Sequence, residues 1–147
     1  MSARLSTLPV NHPLHLLRTL RPHQWVKSAF VFVGLIFSHR RGELDLVLRV
    51  IAAAAAFAAV ASSTYVLNDL ADVEKDKLHP AKRRRTLAAG NVTVGWAQAV
   101  GALSLVAGLV LGVWVSREVL GILLLYLAFN VAYTYGLRDV VILDVFV

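Results

Sequence analysis

Three stretches without a single charged side chain, 50–68, 86–116 and 119–137, constrain this chain more than any other feature. Each has close to the roughly 20 residues needed to cross the hydrocarbon core of a bilayer, or more. A fourth, shorter stretch at 25–38 carries Lys27 near its start, where a long aliphatic stem lets the ammonium reach the surface, so it reads as a further span. Composition agrees: 58% of residues are hydrophobic and 16% charged, with a mean hydropathy of +0.67. That is too apolar for an ordinary soluble domain. The expected fold is all-α, a multi-spanning transmembrane helix bundle with about four complete spans. The apolar pattern resumes at Val140 to Leu143, passes Asp144 and stops at Val147, like the start of a fifth helix and the N-terminal part of a longer protein. No early apolar run free of Arg18, Arg21, His23 and Lys27 offers a signal peptide. There is no cysteine, hence no disulfide framework or thiolate metal site.

Orientation follows from charge. Placing the N-terminus in the cytoplasm puts Arg4, Arg18, Arg21, Lys27, Lys75, Lys77, Lys82, Arg83, Arg84, Arg85 and Arg138 on that side. Arg40, Arg41, Arg49 and Arg117 fall on the other side, as the positive-inside rule requires. Residues 1–20 are then a cytoplasmic segment and 21–147 the membrane domain. Trp25, Trp96, Trp114 and Tyr135 sit near segment ends and read as interface anchors. The net charge of +6 lies in short loops without aromatic platforms, which argues against nucleic acid. Gly95, Gly101, Gly108 and Gly112, with the alanines of 51–60, offer small surfaces for close helix contact.

Chemistry concentrates where the 50–68 stretch meets water. Asn68, Asp69, Asp72 and Asp76 follow at helical spacing, with Asn68, Asp72 and Asp76 expected in one row and Asp69 beside it. Ionisable groups at a membrane boundary are costly and functional by default. Crowded carboxylates call for a cation, and hard oxygen ligands suit Mg2+ carrying a diphosphate. Lys82, Arg83 and Arg85 then supply donors for phosphate oxygens. His79 and Pro80 are expected to end the acidic helix, since proline disfavours helix in the residue before it.

Asn68-Asp69-x-x-Asp72-x-x-x-Asp76, followed by His79, Pro80, Ala81, Lys82, Arg83, Ala89 and Gly90, resembles the first aspartate-rich motif of the UbiA superfamily of intramembrane prenyltransferases. Arg21 to Lys27 and the run 133–147 are most similar to its decaprenyl-phosphate phosphoribosyltransferase branch. Ser28 and Thr86 depart from the Asn and Pro of that pattern, and the family's second polar motif lies beyond the loops present here. The resemblance implies Mg2+-dependent displacement of diphosphate in a bacterial plasma membrane, with 5-phosphoribose passing from phosphoribosyl diphosphate to decaprenyl phosphate. Asn68, Asp72 and Asp76 would hold the metal, with Asp69 as a further ligand or a partner behind them. Lys27, Lys82, Arg83 and Arg85 would hold phosphate, and Tyr135 would bond to a substrate oxygen. Two alternatives stay open: a prenyltransferase moving a polyprenyl group from its diphosphate to an aromatic or other acceptor, and a membrane scaffold or ion-conducting helix bundle.

Overall fold

The computed structural model describes residues 8–30 and 44–134. Among them the secondary structure is helical throughout: α1 (Pro13–Thr19), a 3-10 segment (Pro22–Phe30), α2 (Leu44–Leu78), a 3-10 turn (Lys82–Arg84), α3 (Val94–Val115) and α4 (Arg117–Ala132). Of the expected spans, 50–68 lies wholly inside α2. The start of the 25–38 stretch is a 3-10 segment, and its remainder lies outside the described residues, as do Tyr135, Asp144 and the unfinished fifth helix.

Helices α2 and α3 are long and apolar enough to cross a membrane. The outward face of α3 suits that environment: Leu103 is 70% exposed, and Val110, Val113 and Trp114 are each 62% exposed. A soluble core helix would bury such side chains; a lipid-facing helix leaves them to the acyl chains. The chain is an integral membrane protein. With 35 residues, α2 is about 52 Å long, so it outreaches the hydrocarbon and carries its last turns into the water layer. It ends at Leu78, directly before His79 and Pro80, as the proline rule required. His79 then folds back, its Nδ1 accepting hydrogen bonds from the backbone N–H of Ala81 and Lys82 at 3.2 and 3.3 Å.

Helix α3 begins at Val94 although the uncharged stretch opens at residue 86. The first eight residues build a return loop instead. Gly90 adopts φ +74°, a conformation that suits glycine, and Thr93 caps the helix. Leu87 and Val92 plug this loop into a core cluster with Val66 and Ala97, against which Leu16 and Leu20 of the amino-terminal segment also pack. A second cluster, Ala56, Val60 and Leu123, joins α2 to α4.

Glycine makes the close approach of α2 and α3 possible. A Cβ on Gly108 would stand 2.9 Å from the backbone oxygen of Ala56 and 2.7 Å from Val60 Cγ2, and one on Gly101 would meet Val66 Cγ1 at 3.0 Å. Gly112 abuts Leu123 of α4, whereas Gly95 has open space around it. Three of the four glycines named from the sequence are therefore contact positions. Because a backbone carbonyl cannot swing aside, Gly108→Ala is expected to cost about 1–3 kcal/mol through overpacking. Gly95→Ala is expected to be neutral or slightly stabilising. Thermal unfolding of both variants in detergent checks the contrast.

Candidate functional site

The acidic end of α2 is gripped from two sides. From the amino-terminal side, Arg21 Nη2 donates to Asp69 Oδ1 at 2.6 Å, and its guanidinium carbon lies 5.2 Å from the centroid of the Tyr65 ring. From the return loop, Arg85 Nη1 donates to Asp76 Oδ2 at 2.7 Å and to Asp69 Oδ1 at 3.3 Å. The apolar anchor explains the second grip: with Leu87 and Val92 buried against Val66, the loop must pass back along α2. Arg85 is thereby delivered to the carboxylates. Asp69, Asp72 and Asp76 are all buried, at 6%, 7% and 3% exposure.

The inward row differs from the expected one. Two steps of four residues, as in Asn68, Asp72 and Asp76, each add about 40° in the same sense, whereas alternating steps of three and four swing back and forth and drift by only about 20° per seven residues. The side chains that α2 turns toward its partners accordingly run Ser62, Tyr65, Asp69, Asp72, Asp76. Asp69 lies within this row, not beside it. Asn68 is half-buried on the neighbouring face, where its Oδ1 accepts a hydrogen bond from the Thr134 hydroxyl just beyond α4.

These groups enclose a cavity of about 280 Å³ lined by Arg21, Tyr65, Asn68, Asp69, Asp72, Lys82, Arg85, Tyr133 and Thr134. Of the residues named from the sequence, Asn68, Asp69, Asp72, Lys82 and Arg85 meet there. Asp76 stands behind Arg85 as its ion-pair partner. Lys27 and Arg83 are exposed and do not line the cavity, and Tyr135 lies outside the described residues. Arg21, Tyr65, Tyr133 and Thr134 carry no site role in the sequence reading above. A signal for Tyr65 was present, since it sits four residues before Asp69 and so on the same helical face.

Among the described residues no three His, Cys, Asp or Glu side chains gather closely enough to hold a metal ion by themselves. Asp69 and Asp76 are engaged by guanidinium groups. Asn68 and Asp72 both line the cavity, and Asn68 Oδ1 accepts a hydrogen bond from Thr134. One or two protein oxygens completed by substrate phosphates and water is the coordination Mg2+ commonly adopts, so the donor set fits a metal that arrives with its phosphate.

A second cavity, about 500 Å³, flanks the same stretch of α2. Its walls are mainly apolar, with Val66, Leu67 and Leu70 from α2, Leu105 from α3, and Leu127 and Val131 from α4. A polar, charge-lined chamber thus adjoins an apolar one at a membrane boundary.

Comparison with known proteins decides the family. Residues 28–147 match the UbiA prenyltransferase family. The chain belongs to that family. Among its relatives, the decaprenyl-phosphate phosphoribosyltransferase of Mycolicibacterium smegmatis is 34% identical over 141 residues, covering 93% of this chain and 44% of the relative. The enzyme of the same name from Mycobacterium tuberculosis is 32% identical over 142 residues, covering 93% and 47%. Nodulation protein NoeC of Azorhizobium caulinodans is 35% identical over 128 residues, covering 86% and 41%. The chain spans less than half the length of these relatives. Of the two polar-chamber arginines, Arg85 falls within the residues matched to the family and Arg21 lies before them.

Proposed function

We propose that the whole protein is a membrane-embedded, lipid-linked transferase that moves 5-phosphoribose from phosphoribosyl diphosphate to decaprenyl phosphate. The observation that carries this reading is the cavity in which Arg21, Lys82 and Arg85 share walls with Asn68 and Asp72. Cationic donors and hard oxygens around one small space suit a diphosphate bound with its metal. The names of the mycobacterial relatives point to the same substrates.

In this reading a phosphate oxygen of the lipid forms a bond to the anomeric carbon of the ribose while the bond from that carbon to the diphosphate breaks. Lys82, Arg21 and Arg85 hold the leaving diphosphate and share the charge it gains. Asn68 and Asp72 would hold Mg2+, which when bound neutralises part of that charge. Asp69 and Asp76 keep the arginines in place, and Tyr65 backs Arg21. Lys27, Arg83 and Tyr135 are assigned supporting contacts to phosphate or sugar as the substrates settle. The lipid chain lies along the apolar cavity beside α2. The acid-and-base end faces the cytoplasm, where the positive charges accumulate.

Membranes containing the whole protein, given decaprenyl phosphate and ribose-labelled phosphoribosyl diphosphate, are expected to move label into the lipid fraction, with one diphosphate released per transfer. Removing Mg2+ with a chelator is expected to stop it. Label that enters lipid product only from a polyprenyl diphosphate, with an aromatic acceptor present, would instead establish prenyl transfer and overturn the phosphoribosyl reading.

A further inference from the structure

The positioning of Arg21 depends on one buried hydroxyl. Ser62 is 1% exposed and lies seven residues before Asp69, on the same face of α2. Its oxygen accepts a hydrogen bond from Trp25 Nε1–H at 2.9 Å. Its single proton lies within reach of two carbonyl oxygens, that of Leu20 at 2.9 Å and that of Ala58 at 2.8 Å. The bond to Ala58 is the local back-bond that a helical serine often makes. The other two cross from α2 to the amino-terminal segment, and they land on either side of Arg21.

Arg21 itself is in an unusual state. Its φ is +52°, in the left-handed region, which is costly for any residue with a Cβ. Such a conformation persists only when its surroundings hold it. Local turns contribute, with Arg21 N–H donating to Arg18 O at 3.1 Å and Gln24 N–H to Arg21 O at 2.8 Å. Those bonds lie within the segment and fix its shape, not its place on α2. The Ser62 bonds, with the packing of Leu16 and Leu20, fix the place. Trp25, read from sequence as an interface anchor, is thus also tied to the helix through its indole N–H.

We infer that Ser62 is a positioning residue for the diphosphate site: it pins the Leu20–Trp25 turn to α2 so that Arg21 reaches Asp69 and Tyr65 and faces the cavity. The inference rests on the proposed diphosphate reading of that cavity. Ser62 touches no substrate; it acts through Arg21. Removing its hydroxyl leaves the Leu20 carbonyl and the Trp25 N–H without their tie. The segment can then shift on the helix, and an ångström of displacement in a group that orients substrate weakens its action severely.

The test uses the whole protein in detergent or nanodiscs, with Ser62→Ala, Ser62→Thr, Arg21→Ala and the Ser62→Ala/Arg21→Ala double variant. One arm measures binding of Mg2+-diphosphate directly; the other measures KM and kcat for the diphosphate-bearing donor. Ser62→Ala is expected to weaken diphosphate binding and raise KM roughly tenfold, with kcat changed less. Ser62→Thr, which keeps the hydroxyl, is expected to restore most of the affinity. In the Arg21→Ala background the further change from Ser62→Ala is expected to vanish, since residues acting through one another are not additive. Wild-type affinity in folded Ser62→Ala, or a full additional loss in the double variant, overturns the positioning role and leaves the transferase reading standing. Binding of Mg2+-diphosphate that follows this pattern in a protein that transfers no phosphoribose sinks the reading but not the role of Ser62.

Discussion

Asp72→Ala in the whole protein is expected to lower transfer at least on the order of 10³-fold while the protein still inserts into the membrane and folds. Asp72 is buried at 7% exposure and borders the polar cavity together with Asn68. In the proposed mechanism these two oxygens hold Mg2+, so loss of the carboxylate removes the anionic half of the protein's contribution to the metal. The hydrophobic length of α2 is unchanged by the substitution, because Asp72 lies beyond the apolar 50–67 portion. Insertion and the Val60 and Val66 contacts should therefore survive. Asp72→Asn is the sharper comparison: shape is kept and charge lost, and activity should recover partly at high Mg2+ concentration. Transfer assays across a Mg2+ titration, with detergent-extracted yield as the folding control, read both effects. Normal turnover in Asp72→Ala would remove the residue from the metal site.

Much of the helical frame was legible because it depends on near-neighbour chemistry. The absence of charge in 50–68 and 86–116 announced α2 and α3, His79-Pro80 marked the end of α2, and Gly101, Gly108 and Gly112 marked the contact seam. The start of α3 was not legible, since nothing in hydropathy separates residues 86–93 from the helix that follows. What distinguishes them is the positive φ of Gly90, the Thr93 cap and the burial of Leu87 and Val92 against α2, all consequences of tertiary contact. The site divides the same way. Spacing put Asn68 to Asp76 together at the end of one helix, and proximity in sequence suggested Lys82 and Arg85. The Arg21–Asp69 ion pair joins residues 48 apart in sequence, and the Thr134–Asn68 bond joins residues 66 apart, so no local pattern reveals either. The carboxylate stripe also carried an ambiguity that only geometry addresses. Acidic residues at helical spacing can hold a metal or hold arginines, and in this fold Asp69 and Asp76 do the second.

That division of labour makes Arg85 the most consequential cation in the site. Its guanidinium bridges Asp69 and Asp76, whose side chains are only 8% and 4% exposed, while the arginine keeps 32% of its own surface open. A carboxylate that far from water is tolerable only when paired. Arg85→Met is expected to strand Asp76, which loses its contact at 2.7 Å, more than Asp69, which keeps Arg21 at 2.6 Å. The destabilisation should be about 2–4 kcal/mol, toward the range for a broken buried pair and well above the 0–1 kcal/mol of exposed ones. Transfer should fall with it, since the same side chain borders the cavity. Two further variants separate the roles. Adding Asp76→Asn to Arg85→Met removes the stranded charge, so it should recover most of the stability and none of the activity. Arg85→Lys keeps one positive charge but cannot span two carboxylates with a planar fork, and it should be intermediate in both. Thermal unfolding and transfer rates measured on the same preparations decide the matter. A loss below about 0.5 kcal/mol in Arg85→Met would place this bridge among ordinary surface ion pairs, and equal recovery of stability and transfer in the double variant would show that Arg85 serves the fold and not the diphosphate.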